Sequence, residues 1–438
     1  MKSVGRLWQR LVEFPTWQLA MLIFLLAFSL RLALLLTFHI YRDPFKGELE
    51  RTAISLATTG VFGNPYRIPT GPTAHVAPGY TLILAGIFRL FGTGTAGALV
   101  RTVVAGAVSS LLWALMPAVA NRFSMERSAG VLAGLTGALL PTRLLVEIDG
   151  EWETVYIALA LALTASLAVH LWKIHDLSRK QAVWQGFLWG VCLLFAPALL
   201  DIFAVFLLAG LYFCRRSGIR RYLVFAGIEV IIVAMCLAPW VIRNYHSLGA
   251  PVITRTNPGL ELRVSNNDEA SPDQRINAIK TDFDHFHPLF SMREALRVRT
   301  LGEVAYNRWA GAQAREWIRS HPKRFLELCL GRARCYWLYN DPTSRVKTLV
   351  LAATVLLGFV GLIITWKRDR IVGSALALIL LLYPLPNYLV HVGLRQEYAL
   401  HWLMTLLAAV AFLRACQGIP IPGMRAESPY PRIASLKS

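Results

Sequence analysis

The segment from Tyr41 to Gly92 reads YRDPFKGELERTAISLATTGVFGNPYRIPTGPTAHVAPGYTLILAGIFRLFG, and it crowds reactive groups into one place. It holds the carboxylates Asp43, Glu48 and Glu50, the cations Lys46 and Arg67, and the imidazole His75. It follows directly on Trp17–Phe38, an apolar stretch long enough to cross a bilayer. Insertion into a membrane gains nothing from such a segment, and dense polar groups at a membrane boundary mark chemistry or ion handling. On a helix, Glu48 and Glu50 are two positions apart and point to nearly opposite sides, so they do not make a dyad.

A second acidic cluster, Glu147, Asp149, Glu151 and Glu153, falls between two later apolar stretches. Carboxylates this close repel one another and need a cation partner, a metal or unusual pKa values. With His75 they offer oxygen and nitrogen donors for a divalent ion, Glu153 being the assigned ligand, although no spacing here is a ligand motif in itself. The competing reading is a surface cluster that merely ends two helices. Arg31 lies inside the first apolar stretch, where an unpaired cation is costly, so a structural pair with the Glu147–Glu153 cluster is expected.

The elements that must position these groups are membrane helices. Clear spans are 17–38, 95–119, 129–146, 154–172, 222–240, 346–366, 371–390 and 399–414. Residues 78–92 are apolar but short and interrupted by Arg89, which reads as a helix lying along the interface. Residues 182–213 are too long for one span and are broken at Pro197 and Asp201, which reads as a tight hairpin of two short helices. The cation clusters then fall on one side: Lys2, Arg6 and Arg10; Arg122 and Arg127; Lys173, Arg179 and Lys180; Arg215, Arg216, Arg220 and Arg221; Lys367, Arg368 and Arg370. The positive-inside rule thus selects ten spans with both termini cytoplasmic. The divisions that result are 1–240, a transmembrane core carrying the first outer loop at 39–94; 241–345, a helical outer insert; 346–416, the closing helices; and 417–438, a cytoplasmic tail expected to be disordered.

Composition agrees. Apolar residues make up 55% and charged residues 16%, against about 25% charged in soluble domains. The net charge of +19 is spread in short clusters between apolar runs, which argues against nucleic acid as a partner. The six cysteines show no metal-ligand spacing and read as small apolar side chains. The basic N-terminus precedes a helix too long for a signal peptide and without a small-residue cleavage site, so it reads as a retained first span.

GELERTAISLATTGVFGNPY followed by GPTAHVAPGYTLILAGIFRLFG resembles the first outer loop of polytopic GT-C glycosyltransferases: the protein O-mannosyltransferases, the aminoarabinose transferases of lipid A in the cell envelope, and their bacterial relatives. Their acidic residue stands five positions before an Ala, here Glu48 before Ala53. APWVIRNYHSLG, NPGLELRVSNN and GEVAYNRWAGAQAREWIRSHPKRFLEL resemble their later outer loop. The resemblance implies an all-α GT-C fold in a bacterial inner membrane. It implies a polyprenyl-phosphate-linked sugar as donor and a lipid, glycan or protein as acceptor, with inversion at the sugar. Such a leaving group departs without a general acid, so one carboxylate and a few cations suffice.

On that resemblance Glu48 is the base, with Asp43 as substitute if the register is off by a few residues. Glu153-Thr154 matches the acidic-Thr pair of the family. Arg395, in HVGLRQEYALHW, takes the donor phosphate, and Arg243, Arg67, Lys46 and His75 are further substrate contacts. The alternative for each cation is a snorkelling interface charge. Leu194-Phe195-Ala196-Pro197 departs from the family's Leu-Thr-Arg-Pro, so nothing is carried onto Ala196. A transporter or flippase for lipid-linked sugars is the main rival; it would place ionisable groups at mid-membrane in matching halves, which the sequence does not show. A non-catalytic assembly protein is a second rival, and Glu48 argues against it.

Overall fold

The computed structural model describes residues 8–9, 11–42, 46–140, 144–148, 150, 152–215, 218–273, 277, 283–338 and 344–418. Asp43, Asp149, Glu151 and the segment after Gly418 lie outside the described residues. Within them the chain is helical, apart from an isolated antiparallel bridge between Gly63 and Pro72.

Helix α1 (Thr16–Phe38) leads into the first loop, which contains α2 (Glu48–Thr59) and α3 (Pro78–Phe91). The bundle continues with α4 (Thr95–Ala114), α5 (Met116–Arg122), α6 (Arg127–Leu139), α7 (Leu144–Ile148), α8 (Thr154–Ile174), α9 (Arg179–Phe195), α10 (Leu200–Phe213) and α11 (Ile219–Leu248). The insert carries α12 (Pro258–Ser265), α13 (Met292–Leu301), α14 (Glu303–Ser320) and α15 (Pro322–Trp337). Helices α16 (Arg345–Arg368), α17 (Arg370–Leu382) and α18 (Leu394–Gly418) complete the fold.

The protein is an all-α polytopic membrane protein. Helices lie in all ten stretches expected to span. Seven are long and apolar enough by length and composition alone: Thr16–Phe38, Thr95–Ala114, Thr154–Ile174, Ile219–Leu248, Arg345–Arg368, Arg370–Leu389 and Arg395–Cys416. The remaining three, α6, α9 and α10, have 13, 17 and 14 residues. The break between α9 and α10 comes at Pro197, which has no N–H to donate and opens a short 3₁₀ turn. Helix α3 has 14 residues and carries Arg89 in its last turn. It buries Tyr80, Leu84 and Phe88 and exposes Leu82, Leu90 and Phe91, the division expected of a helix at an interface.

Without a hydrophobic drive between helices in lipid, close backbone approach through small residues has to hold the bundle. Gly361 of α16 meets the backbone of Leu407 in α18, and Gly358 meets Met404. The Arg31–Glu147 pair is the expected structural clamp: Nη2 lies 2.7 Å from Oε2, and both residues are buried. Trp113 Nε1 and Tyr398 Oη donate to the other carboxylate oxygen at 3.2 and 3.0 Å, so one charge pair ties α1, α4, α7 and α18 together.

Contacts gather the first loop, the 150–153 turn, the α9–α10 turn, the insert and the 389–395 connection at one end of the bundle. Tyr80 donates to the Gly150 carbonyl, Gly79 packs on Phe195, and Arg332 of α15 donates to the Leu389 carbonyl at 3.1 Å. At the other end Lys173 pairs with Asp369 at 2.5 Å, and Arg368 with Glu126 at 3.4 Å. Ten crossings would produce this grouping. A spanning 78–92, or a single crossing at 182–213, would split the first set between opposite faces.

Candidate active site

The first loop folds into a cradle by local turn chemistry. Asn64 adopts a left-handed conformation (φ 59°), which Asn tolerates better than most residues. Its N–H donates to the Gly71 carbonyl at 2.9 Å, and its side-chain oxygen accepts from the N–H groups of Thr70 and Gly71. Gly71 sits at φ +89°, a conformation that any Cβ would strain. This closure delivers Thr73–Ala77 as a fully buried run.

The insert grips that run. Glu303, at the start of α14, accepts from the Ala74 N–H at 2.7 Å and from the hydroxyls of Thr73 and Thr256. Burial raises the Glu303 pKa, while these donors and the Arg243 charge act to lower it. Thr256 N–H donates to the Ala74 carbonyl at 3.0 Å. Arg255 Nε donates to the His75 carbonyl at 2.8 Å. The functional side chains therefore sit on backbone fixed from both sides.

At the centre is Glu48, in the first turn of α2 and only 8% exposed. Unpaired helix N–H groups and the macrodipole favour a negative charge there. Its Oε1 lies 3.2 Å from His287 Nε2 and 3.9 Å from His75 Nε2. Glu50 points away, as the helical spacing requires, and its carboxylate meets Arg101 of α4 at 2.6 Å with both groups buried.

His75 is oriented by Tyr66, whose hydroxyl lies 2.9 Å from Nδ1. That leaves Nε2 facing Glu48. Burial lowers the His75 pKa to about 4, against the pull of the Glu48 charge, so the imidazole is neutral near pH 7. His287 Nδ1 lies 3.2 Å from the Leu289 N–H, which sets Nε2–H toward Glu48.

Glu48, His75 and His287 present ligand atoms that all lie within 4.8 Å of one another. Two imidazoles and one carboxylate are a donor set suited to a transition-metal dication, and three protein ligands leave a position open. Tyr66 supplies the outer contact that ligating imidazoles use. His287 would ligate through Nε2 only by giving up the Leu289 bond, a cost of about 1–3 kcal/mol that ligation of a dication can offset, so the residues fit such an ion. Glu153 lies outside this group. Its Oε1 faces Arg255 at 3.6 Å, and its Oε2 has no hydrogen-bond partner among the described residues.

The expected substrate contacts separate. Arg395 stacks on Trp152, with its guanidinium carbon 3.5 Å from the ring centroid, and no carboxylate pairs with it among the described residues. Lys46 is half-buried, with its carbonyl accepting from Arg51 Nε at 2.8 Å and no ion pair to its ammonium among the described residues. Arg243 and Arg67 are bound to backbone. Arg243 donates to the carbonyls of Thr73 and Phe62, both at 2.5 Å, and packs against Phe62 and Trp240. Arg67 donates to the Phe290 carbonyl at 2.7 Å, and its N–H to that of Pro288. It thereby fixes the turn that carries His287.

Sequence reasoning missed His287, Glu303, Arg255, Tyr66 and a second carboxylate–imidazole pair, Glu261 Oε2 and His391 Nδ1, 3.5 Å apart. Burial would raise the Glu261 pKa, but the charges of His391, His287, His75 and Arg255 hold it at about 2. The HFH run at 285–287, beside Asp282 and Asp284, was the one sequence signal for His287.

No protein-family model and no curated protein matches the chain. Among solved structures it is similar to the crystal structure of the Archaeoglobus fulgidus oligosaccharyltransferase tethered with an acceptor peptide containing the NVT sequon via a disulfide bond. Identity is 15% and the TM-score 0.48, over 84% of this chain and 45% of that one. This chain thus spans less than half of that protein's length, and a likeness so loose transfers no residue roles.

Proposed function

We propose that this protein is an inverting membrane glycosyltransferase of GT-C type, moving a sugar from a polyprenyl-phosphate donor to an acceptor hydroxyl on the outer face of a bacterial inner membrane. The observation that carries this reading is the buried Glu48 carboxylate at a helix N-terminus, oriented through Oε1 by two imidazoles at the membrane boundary. The resemblance of the first loop to that family supports it independently. Oε2 takes the proton of the acceptor hydroxyl as the acceptor oxygen attacks the anomeric carbon. The sugar–phosphate bond breaks, and the polyprenyl phosphate leaves with the electron pair. A divalent ion on Glu48, His75 and His287 would supply a fixed positive charge beside the developing phosphate. The test is transfer from a panel of labelled polyprenyl-phosphate sugars by the purified protein. Translocation of donor lipid with no transfer would instead favour a flippase.

Arg395 is the phosphate contact. Its face is taken by Trp152 and its N–H edge is left for an anion. Arg395→Ala is expected to weaken donor binding, and Arg395→Lys to recover only part, because Lys lacks the bidentate fork. Unchanged donor affinity in the Ala variant removes this residue from the site.

Metal content separates the two roles of the Glu48 cluster. Elemental analysis of protein purified without chelator is expected to give about one divalent ion per chain, lost in His287→Ala. Background metal in the parent would leave the cluster as a proton-transfer group only.

Orientation is checked by reporter fusions. Fusions at 121–128 and 215–221 are expected to report cytoplasm, and one near Ser271 the outer side. A cytoplasmic signal near Ser271 would sink the outer-face assignment.

A further inference from the structure

Glu153 has no part in the transfer described above, yet it stands between the two groups that frame that transfer. Its Oε1 lies 3.6 Å from Arg255 Nη1. The same guanidinium donates through Nε to the His75 carbonyl at 2.8 Å, and the His75 ring faces Glu48 at 3.9 Å. On the other side, the preceding residue, Trp152, carries the Arg395 guanidinium on its ring. One line of neighbours thus runs from Glu48 through His75, Arg255, Glu153 and Trp152 to Arg395.

The carboxylate in the middle of that line is unsatisfied. Glu153 is buried, and its Oε2 has no hydrogen-bond partner among the described residues. The 3.6 Å from Oε1 to Arg255 is an ion pair beyond hydrogen-bond reach. Buried polar atoms without partners are rare and call for a ligand or water. The side chains of Glu153 and Arg255 keep 12% and 24% of their surface exposed, so the pair is open to one. Charge decides which. Arg255 already supplies the counter-charge and Arg395 adds a second cation on the adjacent ring, so a further cation is disfavoured. The carboxylate itself disfavours an anion. A neutral group with hydroxyl donors remains.

We propose that Glu153 recognises the donor sugar, its carboxylate accepting hydrogen bonds from the hydroxyls of an uncharged sugar, with Arg255 as the positioning residue that holds it. This rests on the glycosyltransferase reading above. Inversion puts the attacking oxygen and the departing phosphate on opposite sides of the anomeric carbon. The sugar ring must then lie between Glu48 and Arg395, where Glu153 stands. Hydrogen bonds to an ionised acceptor are about twice as strong as neutral ones, and a site that bonds a hydroxyl rejects the analogue lacking it. Water fills the same role until the donor binds, because it too is a neutral donor.

The test compares equilibrium binding of bare undecaprenyl phosphate with that of a panel of undecaprenyl-phosphate sugars, neutral hexoses and amino sugars, to the purified full-length protein. At least one hexose-loaded carrier is expected to bind more tightly than the bare carrier. Glu153→Gln is expected to weaken that loaded carrier about tenfold, the worth of one charged hydrogen bond, and to leave the bare carrier and the Tm unchanged. Monodeoxy versions of the bound sugar give a second measure: one of them is expected to bind the parent and Glu153→Gln equally, because the hydroxyl that meets Glu153 is missing. Equal weakening of bare and loaded carrier in Glu153→Gln, or no weakening of either, overturns the proposal. A parent that prefers only amino sugars overturns it too, since Glu153 would then pair with an ammonium. A parent that binds bare and loaded carrier alike shows that the sugar is not recognised, and overturns the proposal while leaving the polyprenyl-phosphate donor in place. Binding of neither would overturn the glycosyltransferase reading itself, and this proposal with it.

Discussion

Glu48→Gln is expected to lower sugar transfer by about 10²–10⁴-fold, the usual worth of a positioned acid or base. The substitution keeps the shape of the side chain and removes its ability to take a proton. Donor binding is expected to change little, since the phosphate is assigned to Arg395, on a different element. Folding should also persist. The cradle around Glu48 is held by Glu303, Thr256, Arg255 and Arg243, none of which bonds to Glu48. A suitable control is Glu327→Gln. That carboxylate is exposed and among the described residues pairs only with Arg324, at 3.2 Å, and exposed pairs contribute about 0–1 kcal/mol. Full transfer with Glu48→Gln would remove Glu48 as the base. Loss of transfer together with a lowered Tm would mean that the variant reports folding rather than chemistry.

The features readable in the sequence are those that depend on one segment at a time. Apolar length and cation position gave the ten helical stretches, because crossing a bilayer fixes both. The partner of Arg31 was legible within a cluster, because a cation inside a span has few affordable neighbours and Glu147 is one of them. Glu48 stood out because its loop is polar where membrane insertion favours apolar residues. What stayed hidden depends on two distant segments meeting. His287 lies 239 positions after Glu48, and nothing in the local pattern of 283–290 says which loop it faces. Arg243 and Arg67 read as substrate cations from type and location, and in the structure each also donates to backbone carbonyls of partner segments. Only the folded loop reveals that those carbonyls need donors. Glu153 illustrates the same limit: its neighbours in sequence suggested a metal, and its neighbour in space is Arg255.

Glu50 completes the contrast with Glu48. Helical spacing alone makes Glu50→Gln an innocuous variant, because the side chain points away from the reacting groups. The structure gives it a different consequence. Glu50 and Arg101 are 4% and 3% exposed and meet at 2.6 Å, so the substitution leaves a guanidinium buried without its counter-charge. Among the described residues Arg101 Nε already has no hydrogen-bond partner, so none of them offers a second acceptor at that nitrogen. Removing one partner of a buried pair costs about 3–5 kcal/mol, enough to unfold a marginal domain. Glu50→Gln is therefore expected to lower Tm and the yield of folded protein, with the transfer rate per folded molecule nearly unchanged. The double variant Glu50→Gln with Arg101→Met is expected to recover most of that stability, because it removes the stranded charge and keeps the volume filled. A Tm equal to the parent's in Glu50→Gln would show that water reaches Arg101. A normal Tm with abolished transfer would place Glu50 in the chemistry, and would move the catalytic carboxylate to the opposite face of α2.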